Sequence, residues 1–248
     1  MNVIFFCAKT YYCARLLDYL TQHGVEICAV VIDERYDKFS SLVRLKQRFR
    51  RNAPVHIVNA INKLTGRPKI HPQRSNNFYK KYTKTVIPVS SLNSDYCISR
   101  VQKLKPDLIV LGLVRILHKP IIAVPTHGIL NAHPGLLPEY RGVEMIRWSI
   151  YNEDPVGVTI HYVERGVDTG PIIFREEIPL QKGDTIGSIK MRSIELSSHL
   201  VLKAVRIILE EGDLPVITNE VAKGSQYYRM SEDKMELVAE KLKTLTSD

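Results

Sequence analysis

Three side chains with complementary chemistry, Asn131, His133 and Asp168, stand in two short segments that contain glycine and proline. Asn131 and His133 are two residues apart at the end of an apolar run, and in an extended segment such side chains point to the same side. An amide N–H and an imidazole that face one carbonyl carbon can hold the oxyanion that forms on it. A carboxylate beside His133 could set its tautomer, stabilise the imidazolium and relay a proton. The three residues therefore indicate acyl transfer.

Each of these residues also has a common structural role when it is taken alone. An asparagine before a turn often makes an Asx-turn, and an aspartate beside glycines often turns the chain. A histidine followed by proline is typical of a loop. The functional interpretation therefore depends on the three residues occurring together, because short motifs taken singly often mislead.

Short apolar runs alternate with longer amphipathic segments along the chain, which indicates alternating strands and helices. Strands are predicted at 2–7, 25–32, 107–111, 128–131, 156–164 and 172–178, and helices at 11–23, 92–104, 142–151, 184–212 and 231–245. Asp184 is the predicted cap of the longest helix. This order predicts an α/β fold, a Rossmann-like, doubly wound, mostly parallel sheet with helices on both faces. In such sheets ligands bind at the carboxyl ends of the strands, where Asn131 stands.

Five motifs follow one another between residues 104 and 184, about a third of the chain. They are Lys105–Val110, Val114–Leu117, the Asn131-x-His133 loop through Gly142, Val158–Tyr162 and Gly166–Ile173. In this order they resemble the formyltetrahydrofolate-dependent formyltransferase family, which includes glycinamide ribonucleotide, methionyl-tRNA and amino-sugar N-formyltransferases. The N-terminus is similar to the family more loosely, and the amino-sugar type is the closest.

The resemblance implies a role for each matching residue. Asn131, His133 and Asp168 would be catalytic, with Asn131 and protonated His133 holding the oxyanion and Asp168 assisting proton removal from the attacking amine. The pterin of N10-formyltetrahydrofolate would be held, largely through backbone groups, by Val114, Arg115, Ile116, Leu117, Val163, Gly166 and Val167. Weaker candidates for contacts with the amine substrate are Lys9, Thr10, Pro134, Tyr140, Arg141 and Gly142. The implied chemistry needs no metal.

The first strand-to-helix turn, Cys7–Tyr12, contains no glycine. A phosphate cradle needs glycines there so that backbone N–H groups can approach the phosphate, which makes a bound NAD unexpected. The missing glycines also count against a glycinamide ribonucleotide substrate. The resemblance implies that the glycinamide ribonucleotide enzymes hold the ribose phosphate with a Ser/Gly-rich loop at this position. The amino-sugar enzymes do not share that loop, so a nucleotide-linked amino sugar is the first choice of acceptor and glycinamide ribonucleotide the second.

Positive charge is concentrated in one segment. Between Arg35 and Lys84 stand 14 lysines and arginines and a single acid, Asp37, a local net charge of +13 in a chain whose net charge is +9. Such a segment attracts polyanions, for example RNA, a membrane surface, a nucleotide diphosphate or the folate tail, although a solvated surface insertion is an equally good explanation. A tRNA-linked amino acid therefore remains an open acceptor, and nucleic acid a possible partner.

The expected organisation is a catalytic domain over 1–212, with a basic insertion at about 35–90, and a short extension over 213–248 that ends in a helix. About 30 residues follow Glu220, too few for the β-barrel that the resemblance implies for a tRNA enzyme.

No stretch approaches the 18 apolar residues or so of a membrane span, and we expect a cytoplasmic protein. The resemblance also makes a homodimer possible. A formyltetrahydrofolate hydrolase and a non-enzymatic polyanion-binding protein are the remaining alternatives.

Overall fold

The computed structural model describes residues 1–35 and 76–247, so most of the predicted basic insertion lies outside the described residues. The strands are β1 Val3–Cys7, β2 Ile27–Asp33, β3 Val86–Val89, β4 Leu108–Leu111, β5 Ile129–His133, β6 Tyr140–Gly142, β7 Gly157–Tyr162, β8 Ile172–Glu177 and β9 Ser225–Tyr227. The helices are α1 Tyr11–Gln22, α2 Asn76–Tyr79, α3 Asp95–Lys103, α4 Lys119–Ile122, α5 Met145–Asn152, α6 Ile186–Glu211 and α7 Glu232–Leu245, with a 3-10 turn at Val221–Lys223.

A seven-stranded sheet in the order β3-β2-β1-β4-β5-β7-β8 forms the centre of the fold. The five strands from β3 to β5 run parallel, whereas β7 pairs antiparallel with both β5 and β8. The central strands are continuous apolar runs, which is typical of a sheet covered on both faces. The predicted α/β, mostly parallel, Rossmann-like fold is confirmed.

Alternating side chains of β1 fill two separate cores. Phe5 and Cys7 pack with the apolar faces of α1 and α6, and Ile4 and Phe6 pack with α3 on the opposite face. A third cluster lies at the C-terminal side, where Val238 of α7 packs against α5. Helices therefore cover both faces, as predicted. None of the helices within the described ranges is both long and apolar enough to cross a membrane.

The structure corrects several predicted boundaries, among them the start of α5, which lies at Met145 and not at 142 because Gly142 ends β6, and it adds elements that the hydrophobic pattern did not reveal. Strand β5 continues to His133, because pairing with β7 supplies its hydrogen bonds beyond the point where the apolar run ends. Helix α6 is capped by Thr185 in a capping box with Ser188, and not by Asp184, whose carboxylate accepts a hydrogen bond from the Ser188 hydroxyl at 2.7 Å. Strand β3 and the pair of short parallel strands β6 and β9 were not predicted.

Candidate active site

A cavity of about 670 Å³ opens at the carboxyl ends of β4 and β5. Its size is typical of a small-molecule site. Asn131, His133 and Asp168 all line it. So do the predicted cofactor residues Val114, Arg115, Ile116, Leu117, Val163, Gly166 and Val167, and from the predicted substrate set Pro134 and Gly142.

Asn131 and His133 reach the cavity from the end of β5, two residues apart, as the extended backbone predicts. The chain then turns at Gly135, where a Cβ atom would lie 2.8 Å from the Met145 side chain and 2.9 Å from Nε2 of His133. A side chain at this position would therefore displace the imidazole. Glycine here allows the loop to pass close behind the ring.

The His133 ring is buried, with 3% of its surface exposed. Its Nε2 lies 2.7 Å from the Tyr140 carbonyl oxygen, which can only accept, so Nε2 carries the proton and Nδ1 faces Asp168 Oδ2 at 3.5 Å. Burial lowers the pKa of His133 below its ordinary 6.5, and the opposing effect of the Asp168 charge does not reverse this. One expectation therefore needs correction: in the neutral ring the Tyr140 carbonyl, and not Asp168, sets the tautomer.

Asp168 stands in a tight turn after β7, with a positive φ of 52°. Its Oδ2 accepts a hydrogen bond from the backbone N–H of Gly142 at 2.8 Å, and its Oδ1 lies 3.6 Å from Nε2 of His161. Burial acts to raise the pKa of this carboxyl, but the nearby His161 and His133 rings and the hydrogen bond from the Gly142 N–H outweigh it and hold the pKa below its usual value. Asp168 is therefore an anion in the neutral pH range.

His161 completes the cluster, and we did not single it out from the sequence. It stands on β7 directly opposite Asn131, and its Nε2 lies 3.0 Å from the Asn131 amide nitrogen. Its Nδ1 lies 2.8 Å from the Tyr162 carbonyl oxygen, so in the neutral ring Nε2 is the acceptor for Asn131. One Asn131 N–H is thereby fixed, and within the described residues the other makes no hydrogen bond. His161 lies within the Val158–Tyr162 motif, but its place opposite Asn131 follows only from the antiparallel register of β7 with β5.

One side of the cavity is formed by the loop after β4. Arg115 makes a bidentate ion pair with the fully buried Asp33 at the end of β2, with distances of 2.9 and 3.0 Å. The adjacent apolar side chains of Leu113 and Ile116 are 42% and 64% exposed and line the cavity. Exposed apolar side chains beside a fixed backbone are suited to a flat aromatic ligand.

The other side of the cavity carries charge. Glu144 accepts hydrogen bonds from Arg147 at 3.2 Å and from the backbone N–H of Met230 at 2.8 Å. Lys190 lines the same wall from α6. Desolvation and the Arg147 charge lower the pKa of Lys190, while Glu144 acts in the opposite direction. No carboxylate of the described residues lies within ion-pair distance of the Lys190 ammonium.

Four predicted substrate contacts lie away from the cavity wall. Thr10 caps α1, and Lys9 lies 3.8 Å from Glu34. Tyr140 is buried, stacks on Tyr227 at 5.1 Å, and donates a short hydrogen bond to Asp154. Arg141 belongs to β6, which pairs with β9. Tyr140 and Arg141 follow the catalytic loop closely in sequence, but both belong to β6, which pairs with the C-terminal segment at β9.

A family model described as Formyl transferase matches residues 1–205. Curated relatives include methionyl-tRNA formyltransferase from Methylacidiphilum infernorum, 31% identical over 181 residues that cover 72% of this chain and 56% of the relative. The enzyme of the same name from Syntrophus aciditrophicus is 41% identical over 110 residues, 44% of this chain and 35% of that protein. The chain therefore spans between about a third and three fifths of the length of these relatives.

Solved structures share the fold at lower identity. A sugar N-formyltransferase from Shewanella sp. matches with a TM-score of 0.62 and 15% identity, covering 98% of this chain and 88% of that one. Glycinamide ribonucleotide transformylase 1 from Symbiobacterium toebii matches with a TM-score of 0.60 and 19% identity, covering 88% and 94%. These likenesses establish the fold of the chain.

Proposed function

The chain belongs to the formyl transferase family, and on that premise we propose that it moves the formyl group of N10-formyltetrahydrofolate to the primary amine of a small anionic acceptor. One observation carries the proposal. The second N–H of Asn131 and the Nδ1 face of His133 border one cavity, with the Asp168 carboxylate 3.5 Å from that Nδ1. A hydrogen-bond donor and a proton acceptor thus stand together, as attack of an amine on a formyl carbon requires.

The cavity fits the folate co-substrate. A pterin is flat and aromatic, and Leu113 and Ile116 offer it exposed apolar surface. The loop from Val114 to Leu117 and the turn from Val163 to Val167 border the same space, where their backbone groups can bond the ring nitrogens. The ion pair of Arg115 with Asp33 occupies the arginine side chain, which favours a backbone contact at this residue.

Bound N10-formyltetrahydrofolate supplies a formyl group whose bond to N10 breaks as the bond to the acceptor nitrogen forms, with one proton passing from that nitrogen to N10. Asn131 donates its second N–H to the negative charge that develops on the formyl oxygen. Neutral His133 accepts the proton of the attacking amine at Nδ1, and the Asp168 carboxylate stabilises the resulting imidazolium across 3.5 Å. His161 holds Asn131 in orientation through the 3.0 Å contact.

Lys190 and Arg147 support an anionic acceptor. Both line the cavity, and the charges of Arg147 and Glu144 act on the Lys190 ammonium. Glu144 offsets the Arg147 charge, so the wall keeps a net positive charge beside the reacting groups. A phosphate on the acceptor would be attracted there. A nucleotide-linked amino sugar is our first candidate, since it combines a primary amine with a diphosphate.

A tRNA-linked amino acid is the second candidate. It is favoured by the curated relatives, which are named methionyl-tRNA formyltransferase and reach 41% identity over part of the chain. Its amine and its phosphates lie on one molecule, so the same positive wall would serve it. The two candidates differ in size and not in chemistry at the reacting nitrogen.

The proposal is tested by incubating the protein with N10-formyltetrahydrofolate and one amine at a time, and by measuring the formylated product by mass spectrometry. The amines are nucleotide-linked 3- and 4-amino sugars, methionyl-tRNA and glycinamide ribonucleotide. Product from one amine, lost in His133→Ala, supports the proposal and identifies the acceptor. Lys190→Gln should raise the KM of that acceptor and leave the KM of the folate unchanged. Its matched control is Lys203→Gln, because Lys203 stands on the same helix but packs over Phe174.

A further inference from the structure

The chain segment after α6 returns to the active site. Ile217 pairs with Ile172 beside β8, and Asn219 follows two residues later with only 9% of its surface exposed. The Asn219 amide nitrogen donates hydrogen bonds to the backbone carbonyls of Asp168 and Gly170, each at 3.0 Å. A side chain from outside the sheet thus holds the turn on which the catalytic carboxylate stands.

The geometry fixes which end of the Asn219 amide faces this turn. Two carbonyl oxygens can only accept hydrogen bonds, so the NH₂ group must face them. The turn itself is tight: Asp168 has a positive φ of 52°, and a Cβ at Gly170 would lie 1.9 Å from the Tyr162 carbonyl oxygen. A non-glycine residue in this conformation is unfavourable by itself and needs support from its surroundings.

The same segment also holds the carboxylate end of Asp168. Strand β9 pairs with β6 so that Gly142 stands opposite Tyr227, and the Val143 N–H bonds the Tyr227 carbonyl at 3.2 Å. The Gly142 N–H, fixed by this pairing, is the one that bonds Asp168 Oδ2 at 2.8 Å. Asn219 therefore secures the backbone of Asp168 while β9 secures the partner of its carboxylate.

We propose that Asn219 is a positioning residue for Asp168, which aligns the carboxylate with His133 through the Asp168–Gly170 turn without touching substrate. The catalytic part of this proposal rests on the proposed function. The structural part does not, since the two hydrogen bonds exist whatever the reaction.

The test compares Asn219→Ala with Asn219→Asp. Alanine removes both donors, and we expect kcat to fall about tenfold to a hundredfold, because a misplacement of about 1 Å can cost about a hundredfold. The KM values of folate and amine should change little. Aspartate has the shape of asparagine but places acceptors against two carbonyls, so it should lose more kcat than alanine does. A residue that only filled space would give the opposite order, and that order would overturn the proposal.

Asn2→Ala is the matched control, because the Asn2 amide nitrogen also donates hydrogen bonds to two backbone carbonyls, those of Leu104 and Lys105 at 3.4 and 3.2 Å, and lies outside the cavity lining. It should keep wild-type kcat. Folding is checked by the Tm of each variant, and Asn219→Gln, which keeps the NH₂ group, should retain more activity than the alanine variant if both fold. Loss of activity that only follows loss of folded protein would contradict a positioning role.

Two measurements that need no catalytic turnover test the positioning role of Asn219 independently of the proposed function. In Asn219→Ala the Asp168 carboxylate should drift from the Gly142 N–H, so its pKa, followed by NMR of the carboxyl carbon, should rise towards the usual value. Hydrogen exchange at Gly142 should become faster. If the wild-type protein transferred no formyl group but these two signals moved, the proposed function would fail and the positioning role would stand. Unchanged signals would overturn the positioning role.

Discussion

His133 is held by one backbone carbonyl, and this contact determines which nitrogen of its neutral form can accept a proton. Because Nε2–H bonds the Tyr140 oxygen, Nδ1 is the atom that faces Asp168 and can accept a proton. Asn131 supplies the complementary donor, since His161 occupies only one of its two N–H groups. These two hydrogen bonds leave Asn131 as the hydrogen-bond donor and His133 Nδ1 as the proton acceptor.

Asn131→Ala should therefore lower kcat by about a hundredfold to a thousandfold, the usual cost of removing one preorganised donor from an oxyanion. Binding of the folate should change little, because we propose that the loop after β4 holds the pterin. Single-turnover kinetics and equilibrium folate binding measure the two effects separately. A variant that folds and retains most of its kcat would refute the role of the amide.

The lowered pKa of His133 predicts a pH dependence. If the neutral ring is the base, kcat should rise with pH as the ring loses its proton, with a midpoint below the ordinary value of 6.5. The unfolded chain binds that proton at higher pH than the folded chain does, so the free energy of unfolding should decrease as pH falls below about 6.5. NMR titration of the ring, assigned with His133→Ala, measures the pKa directly. A midpoint above 6.5 would contradict a desolvated, neutral base.

The chemistry of individual residues could be predicted from the sequence further than their surroundings could. Asn131, His133 and Asp168 carry recognisable side chains in recognisable loops, and the structure brings them together. Nothing in the local sequence distinguishes His161 from other strand histidines. Its position opposite Asn131 depends on the antiparallel pairing of β7 with β5. The burial of the His133 ring could not be predicted either, because it depends on how the folded chain packs around Gly135 and not on a sequence pattern.

Elements of the fold position these groups, and the pair of β6 with β9 is the clearest case. Gly142 has a φ of 110°, and a Cβ there would lie 2.1 Å from the Tyr227 carbonyl oxygen. Gly142→Ala should separate the two strands and move the N–H that bonds Asp168. We expect a loss of kcat that is larger than the loss of stability explains, measured as kcat alongside the Tm.

Gly183→Ala is the control for that substitution. Gly183 also has a positive φ, 75°, but no atom lies within 4 Å of its added Cβ. The variant should lose about 1–2 kcal/mol of stability from backbone strain alone and keep its kcat. Equal effects of both substitutions on kcat would show that the β6–β9 contact does not hold the site.

The loop after β4, which we propose holds the folate, is positioned by a second element, the end of β2, through the ion pair of Arg115 with Asp33. Asp33→Asn removes the charge that Arg115 pairs with, so the loop should become less ordered and the KM of the folate should rise while the KM of the amine stays constant. Steady-state kinetics with each substrate varied in turn measure this. Asp18→Asn, which breaks an ion pair with Lys81 at 2.9 Å outside the cavity, is the control. A rise in the amine KM alone would assign Arg115 to the other side of the site.

Strand and helix assignments succeeded where the hydrophobic pattern was long and failed where pairing was non-local. The continuous apolar runs of β1 and β2 need a covered sheet, and the fold provides it. β6 and β9 are three residues each and lie far apart in sequence. Nothing in their local composition indicates that they pair, because the pairing depends on the close approach of Gly142 to Tyr227.

At the scale of the whole molecule the cavity has two unlike sides. Exposed Leu113 and Ile116 border one side, and Lys190 with Arg147 charges the other. Asn131, His133 and Asp168 line the same cavity. This asymmetry explains why a folate and an anionic amine could bind together and react at one point. The motifs predict which residues would hold the folate, whereas nothing in the sequence distinguishes Lys190 from the other residues on the polar face of its helix.

In the reaction that we propose, the formyl group leaves the folate only when an amine accepts it. The most direct test is the release of tetrahydrofolate from N10-formyltetrahydrofolate, measured with and without the panel of amines, in the wild-type protein and in Asn131→Ala. Our account predicts negligible release without amine, release with one phosphate-bearing amine, and loss of that release in the variant. Equal release with and without amine would make the protein a hydrolase and would contradict the account.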